Sequence, residues 1–138
     1  MNSTQKTRLL DAAERALRNA HELYSHYRVG AAVLADGGKI FSGCNVENAS
    51  YGLTMCAERV AIGAAVAAGN KNIRGLVVVS DGPEMPWPCG ACRQVLVEFA
   101  KDDTPVLVAI RGHLRAAELT TLGELLPHAF RLGEKAEG

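Results

Sequence analysis

The chain is predicted to be an α/β protein: a mixed sheet of about five strands with helices on both faces. Helical and β-branched apolar segments alternate along it, every apolar run is short, and turn residues punctuate the runs. Leu9, Leu10, Ala13, Ala16, Leu17, Ala20 and Leu23 recur at helical spacing, with Asp11, Glu14, Arg15, Arg18 and Glu22 opposite, which predicts an amphipathic first helix. Val29–Ala35 and residues 39–45 flank Asp36-Gly37-Gly38, a turn between two strands. Residues 46–55 have no apolar period and read as a loop. Residues 56–68 are apolar on nearly every side, which predicts a buried helix stopped at Gly69. Its charges, Glu58 and Arg59, stand together in the first turn. Ile73–Ser80 is a β-branched run bounded by Asn72 and by Asp81-Gly82-Pro83, hence a central strand. Residues 89–100 place Cys92, Val95, Leu96 and Phe99 on one helical face, with Pro88 just before. Pro105–Ile110 reads as a strand, and residues 111–119 have room for another. Thr121 with Glu124 forms a capping-box pattern that opens a short helix, stopped by Pro127.

Strand–helix alternation implies right-handed crossovers and a parallel portion of sheet, with the ligand crevice at the carboxyl ends of the strands. Strands 39–45 and 73–80 both end there. They lead to helices starting at Cys56 and Cys89, so the topology brings both helix starts to one edge, beside Asn45 and Glu47.

The length, 138 residues, predicts a single domain over 1–138 at roughly 150 residues per domain. Apolar residues make up 48% and charged ones 22%, ordinary for a soluble globular chain. Fifteen Lys and Arg balance fifteen Asp and Glu, so no basic field exists to hold a nucleic acid. The apolar runs at 76–79 and 106–110 are far too short to span a membrane, and residues 1–8 are polar, unlike a secretory signal. The expected location is the cytoplasm. In that reducing setting four cysteines point to metal or catalytic roles rather than disulfides.

Cys89-Gly90-Ala91-Cys92 is a Cys-x-x-Cys pair, and Cys56 lies at the neighbouring helix start. The pair alone fits a dithiol redox site, half a structural zinc site or a catalytic one. With Cys56 added, a three-cysteine catalytic zinc with its fourth position open stands against a structural site of four cysteines that would recruit Cys44. Gly43-Cys44 ends a strand without knuckle spacing, which favours a small strand cysteine instead. Helix N-termini favour thiolate over thiol, and Arg59, three residues after Cys56, can offset the excess negative charge. Glu58 is two residues after Cys56 and does not share its helix face, so both can reach one ion only beyond the helix end. His21, His26, His113 and His128 lie outside the cysteine segments and read as surface or packing residues. Tyr27, Tyr51, Trp87 and Phe130 read as core or rim aromatics.

Cys56-Ala57-Glu58 followed by Pro88-Cys89-Gly90-Ala91-Cys92 resembles the signature of the zinc-dependent deaminases. The chain is more specifically similar to the small, homotetrameric cytidine deaminases. Val29-Gly30-Ala31-Ala32, the run from Gly43 to Gly52, Cys56 to Arg59, Pro88 to Gln94, and Leu125-Leu126-Pro127 with Phe130 carry that likeness in the family's order. The resemblance implies a three-layer α/β/α fold and one Zn²⁺ per subunit on Cys56, Cys89 and Cys92. It implies Glu58 as the proton-transferring carboxylate, Arg59 supporting the metal ligands, and Asn45 and Glu47 on the ribose. It also implies that the Ala57 backbone holds the pyrimidine edge and Tyr27, where Phe is usual, packs against the nucleoside. Phe130 is to stack on the base from a neighbouring subunit, and Trp87, where a small residue is common, to sit at the rim. The implied activity is deamination of free cytidine and 2′-deoxycytidine. A relative acting on blasticidin S and a non-catalytic zinc-stabilised binding module are the alternatives.

Overall fold

In the computed structural model, which describes residues 1–132, nine regular elements build the fold. They are α1 (Ser3–Ala16), β1 (Val29–Ala35), β2 (Ile40–Cys44), α2 (Ala57–Ala67), β3 (Ile73–Ser80), α3 (Gly90–Phe99), β4 (Pro105–Ile110), β5 (Glu118–Thr121) and α4 (Leu122–Leu125). The strands form one sheet in the order β2-β1-β3-β4-β5. β3 and β4 are parallel, while β1 is antiparallel to both β2 and β3. The alternation read from the sequence is therefore present, with β1 inserted between two strands that run the same way.

Alternating side chains divide the core in two, as the twofold period of a strand requires. Ala31, Val33, Leu76, Val78, Val106 and Val108 pack with α2 and α3, through residues such as Ala61, Ile62 and Leu96. Ala32, Leu34, Val77, Val79, Leu107 and Ala109 pack with Leu9, Ala13 and Leu17 of the α1 side. The result is three layers, helix on sheet on helix. Two glycines let the layers approach. A Cβ on Gly30 would stand 2.0 Å from the Ala13 carbonyl oxygen, and one on Gly43 would stand 2.6 Å from the Ala61 nitrogen.

α1 is shorter than its apolar period predicts. It ends at Ala16, runs on as a single 3₁₀ turn over Leu17–Asn19, and leaves Leu23 62% exposed. Backbone pairing overrides the period here: the His21 amide donates to the Asn45 carbonyl, and the Glu47 amide donates to His21. α2 is not buried all round either. Ala57, Ala61, Ile62 and Ala65 face the core, while Gly63, Ala64 and Ala67 are exposed in a single chain. Among the described residues no helix is long and apolar enough to cross a membrane.

The topology fixes the site. Cys44, the last residue of β2, lies opposite Gly30, and Ser80, the last of β3, lies opposite Val29. The two strands therefore end side by side, and the segments leading into α2 and α3 leave from the same edge.

Candidate active site

Cys56 and Cys89 are not inside their helices. Each is an N-cap with extended backbone, φ −70° and ψ 152° at Cys56 and φ −69° and ψ 169° at Cys89. Cys92 follows within the first turn of α3. The sulfurs of Cys56, Cys89 and Cys92 lie within 4.8 Å of one another. Cys56 to Cys89 is 3.9 Å and Cys89 to Cys92 is 3.6 Å. Tetrahedral zinc with Zn–S bonds of about 2.3 Å sets its sulfurs about 3.8 Å apart, so the donor set fits that ion. Cys44 is outside the cluster, half-buried at the end of β2, and burial pushes its thiol up.

The electrostatics also suit a cation. Hydrogen bonding to Cys92, helped by Arg59 and Cys89 and opposed by burial, brings the Cys56 thiol down to about 5. The same contact with Cys56, reinforced by burial, pushes Cys92 up. One sulfur ionises readily and its neighbour resists, because adjacent thiolates repel. Arg59 Nη2 lies 3.6 Å from Cys56 Sγ and donates to the Thr54 carbonyl at 3.2 Å, while its Nε is buried without a hydrogen-bond partner among the described residues. Arg59 therefore stands beside the cluster with its guanidinium close to one of the three sulfurs.

Glu58 sits one residue past Ala57, in the first turn of α2 and only 5% exposed. With Cys56 as a cap rather than a helical residue, both side chains reach the space in front of the helix end. Burial first, and then the charge on Cys56, pushes the Glu58 carboxyl up to about 7. Cys56, Cys89, Ala57 and Glu58 line a cavity of about 230 Å³. Val29 and Val78 add apolar wall, and Tyr27, Pro86 and Trp87 complete the lining. Tyr27 and Trp87 are both partly exposed, which places them at the rim.

The predicted sugar pair divides. Asn45 lines the cavity, 7% exposed, and braces the entry to β1: Oδ1 accepts from the Val29 amide at 2.9 Å and Nδ2 donates to the Tyr27 carbonyl at 2.8 Å. Glu47 instead lines an adjoining recess of about 310 Å³ with Tyr24, Ser25, Tyr51 and Thr54. Thr54 borders both spaces. Tyr24 and Tyr51 meet edge to face, centroids 6.4 Å apart. Phe130 is 68% exposed and does not line its own chain's cavity. Ser25, Tyr24 and Thr54 are neighbours of the site that the sequence analysis missed, because Tyr24 and Ser25 follow a helical period that ends early and Thr54 lies in a loop without pattern.

Residues 3–108 match the family model described as the cytidine and deoxycytidylate deaminase zinc-binding region. The chain belongs to this family. It is 44% identical over 124 residues to the cytidine deaminase of Sporosarcina psychrophila, covering 89% of each chain. Over 100 residues it is 53% identical to a probable cytidine deaminase of Dictyostelium discoideum, covering 72% of this chain and 68% of that one. The 1.6 Å crystal structure of cytidine deaminase from Burkholderia pseudomallei shares the fold with a TM-score of 0.84 at 42% identity, over 94% of this chain and all of that one. The family's zinc-binding region and the three-sulfur cluster identify zinc as the cofactor. Cys44→Ala should therefore retain zinc at about one ion per chain, and Cys92→Ala should lose most of it, as read by elemental analysis after gel filtration. Loss of zinc from the Cys44 variant would identify a four-cysteine structural site.

Proposed function

We propose that the chain, acting as one deaminase domain over 1–138, converts free cytidine and 2′-deoxycytidine to uridine and 2′-deoxyuridine with release of ammonia. The observation that carries this proposal is a buried carboxylate, Glu58, lining the same small cavity as two of three converging cysteines. Bound to Cys56, Cys89 and Cys92, zinc supplies the Lewis acidity that brings the pKa of water toward neutrality. Glu58 takes a proton from the attacking water on its carboxylate and returns it to N3 of the ring as oxygen adds at C4. It then takes the second proton from the new C4 hydroxyl and passes it to the amine, so that the C4–N bond breaks, ammonia leaves and the C4 carbonyl forms. A carboxyl raised to about 7 suits both duties near neutral pH, and such transfer is worth about 10²–10⁴ in rate.

The remaining residues orient the nucleoside. Ala57 is the first residue of α2, where helix amides lack intrahelical partners, so its N–H is suited to the pyrimidine edge. Tyr27, Val29 and Val78 offer the ring apolar contact. Asn45 and Glu47 are assigned to the ribose: the amide keeps donor and acceptor capacity beyond its bonds to Tyr27 and Val29, and the carboxylate accepts from a hydroxyl. Phe130 is assigned to the base in a neighbouring subunit of a homotetramer. Its exposure, together with the uncovered small-residue side of α2, supports that assembly. A nucleoside substrate, balanced net charge and the lack of a membrane-crossing helix among the described residues are consistent with pyrimidine salvage in the cytoplasm.

Two variants test the assignments in an ultraviolet assay of cytidine loss run on zinc-loaded protein. Glu58→Gln keeps the metal and the fold and loses at least roughly a hundredfold in kcat; near-normal turnover would put the proton carrier elsewhere. Phe130→Ala raises KM by the loss of a stack worth about 1–3 kcal/mol, and an unchanged KM would contradict the cross-subunit assignment. A wild-type rate on blasticidin S above that on cytidine would overturn the substrate, and zinc-loaded protein inert on both would point to a binding module.

A further inference from the structure

The segment between α1 and β1 folds back on the loop after β2. The His26 amide donates to the Glu22 carbonyl at 2.8 Å, and His26 itself takes a left-handed backbone with φ 58°, a tight turn that fixes Tyr24 and Ser25 against Glu47. Glu47 Oε1 accepts from the amides of Tyr24 and Ser25, both at 3.0 Å. Glu47 Oε2 is bonded by the Ser25 hydroxyl. Direction is fixed along this chain: the ionised Glu47 carboxylate can only accept, so the Ser25 hydroxyl donates to it while Ser25 Oγ accepts from the Tyr27 amide at 3.0 Å.

An ionised carboxylate offers about four acceptor positions. Three are filled by Tyr24 and Ser25, which leaves one, on Oε2, in a recess that shares Thr54 with the base cavity. We propose that Ser25 is a positioning residue: its hydroxyl turns Glu47 so that a single acceptor position remains for one sugar hydroxyl of the substrate. The proposal rests on the assignment of Glu47 to the ribose. The Ser25 hydroxyl, then the Ser25 and Tyr24 amides and the charge of His21, also hold Glu47 below the usual carboxylate range, which keeps it an acceptor. Without the Ser25 hydroxyl, Oε2 is free to rotate or to bind water, and its aim at the sugar is lost.

Steady-state kinetics on the zinc-loaded enzyme test this with cytidine and with 2′,3′-dideoxycytidine, a probe lacking both secondary hydroxyls. Wild type should prefer cytidine. Ser25→Ala should raise KM for cytidine roughly tenfold with kcat held within about twofold, leave the probe unaffected, and so shrink the preference by the same factor. Ser25→Thr, which keeps the hydroxyl, should restore it. A merely structural loop residue would weaken both substrates alike, and that result overturns the proposal, as does failure of threonine to rescue. Glu47→Gln separates the two assignments. If it abolishes the preference while Ser25→Ala does not, Glu47 holds the sugar and Ser25 does not position it. If Glu47→Gln leaves the preference intact, the ribose assignment fails and the role of Ser25 falls with it.

Discussion

Three sulfurs within 4.8 Å of one another cannot all carry charge unless a cation sits among them. That constraint organises the rest of the structure. The N-cap placement of Cys56 and Cys89 points both at the open ends of helices, where unpaired amides and the helix dipole favour thiolate. Arg59, in the first turn of α2, reaches back to Cys56 and sets a positive charge 3.6 Å from its sulfur. Glu58, two residues from Cys56, reaches the same space because Cys56 lies outside the helix. A cysteine one residue further along, inside α2, would share its face with other side chains and turn away from Glu58.

The sheet carries this arrangement by register rather than by loop contacts alone. β2 and β3 run the same way on either side of β1, so their final residues, Cys44 and Ser80, sit beside each other and the two cysteine-bearing segments depart together. Close packing holds the helices in place. α1 rests on β1 where only Gly30 leaves room, and α2 rests on β2 at Gly43, with contacts too tight for a side chain. The metal-binding helix starts are thus tied to the rigid centre of the fold, while much of the remaining cavity and recess lining comes from the flanking segments 24–29, 45–54 and 86–89.

Much of this was legible in the sequence, for reasons that differ by residue. Cys56, Glu58, Cys89 and Cys92 follow from local spacing at helix starts plus a topology that alternation makes readable. Thr121 caps α4 by accepting from the Glu124 amide, as the spacing predicts. The Glu124 carboxylate accepts from the Thr120 and Thr121 hydroxyls instead of the Thr121 amide, so half of the predicted box forms. The start of α1 carries an equally local signal that the apolar period hides: Asn2 and Gln5 form a reciprocal capping box ahead of the first apolar residue of the stripe, Leu9. The end of α1 is not legible, because Ala20 and Leu23 continue the period while His21 leaves it to pair with residues 45–47. The bracing of Asn45 by Val29 and Tyr27, and of Glu47 by Ser25, joins residues 16 to 22 positions apart and leaves no periodic trace. The exposure of one side of α2 and of the Phe130 ring is likewise set by tertiary packing, which composition cannot report.

The ligand shell of the metal decides the central claim. X-ray absorption at the zinc edge of the zinc-loaded protein counts the scatterers directly. Three sulfurs at about 2.3 Å with one oxygen or nitrogen at about 2.0 Å is the shell that Cys56, Cys89 and Cys92 require. A shell of four sulfurs, or one with a second light atom from the protein in place of a sulfur, contradicts it.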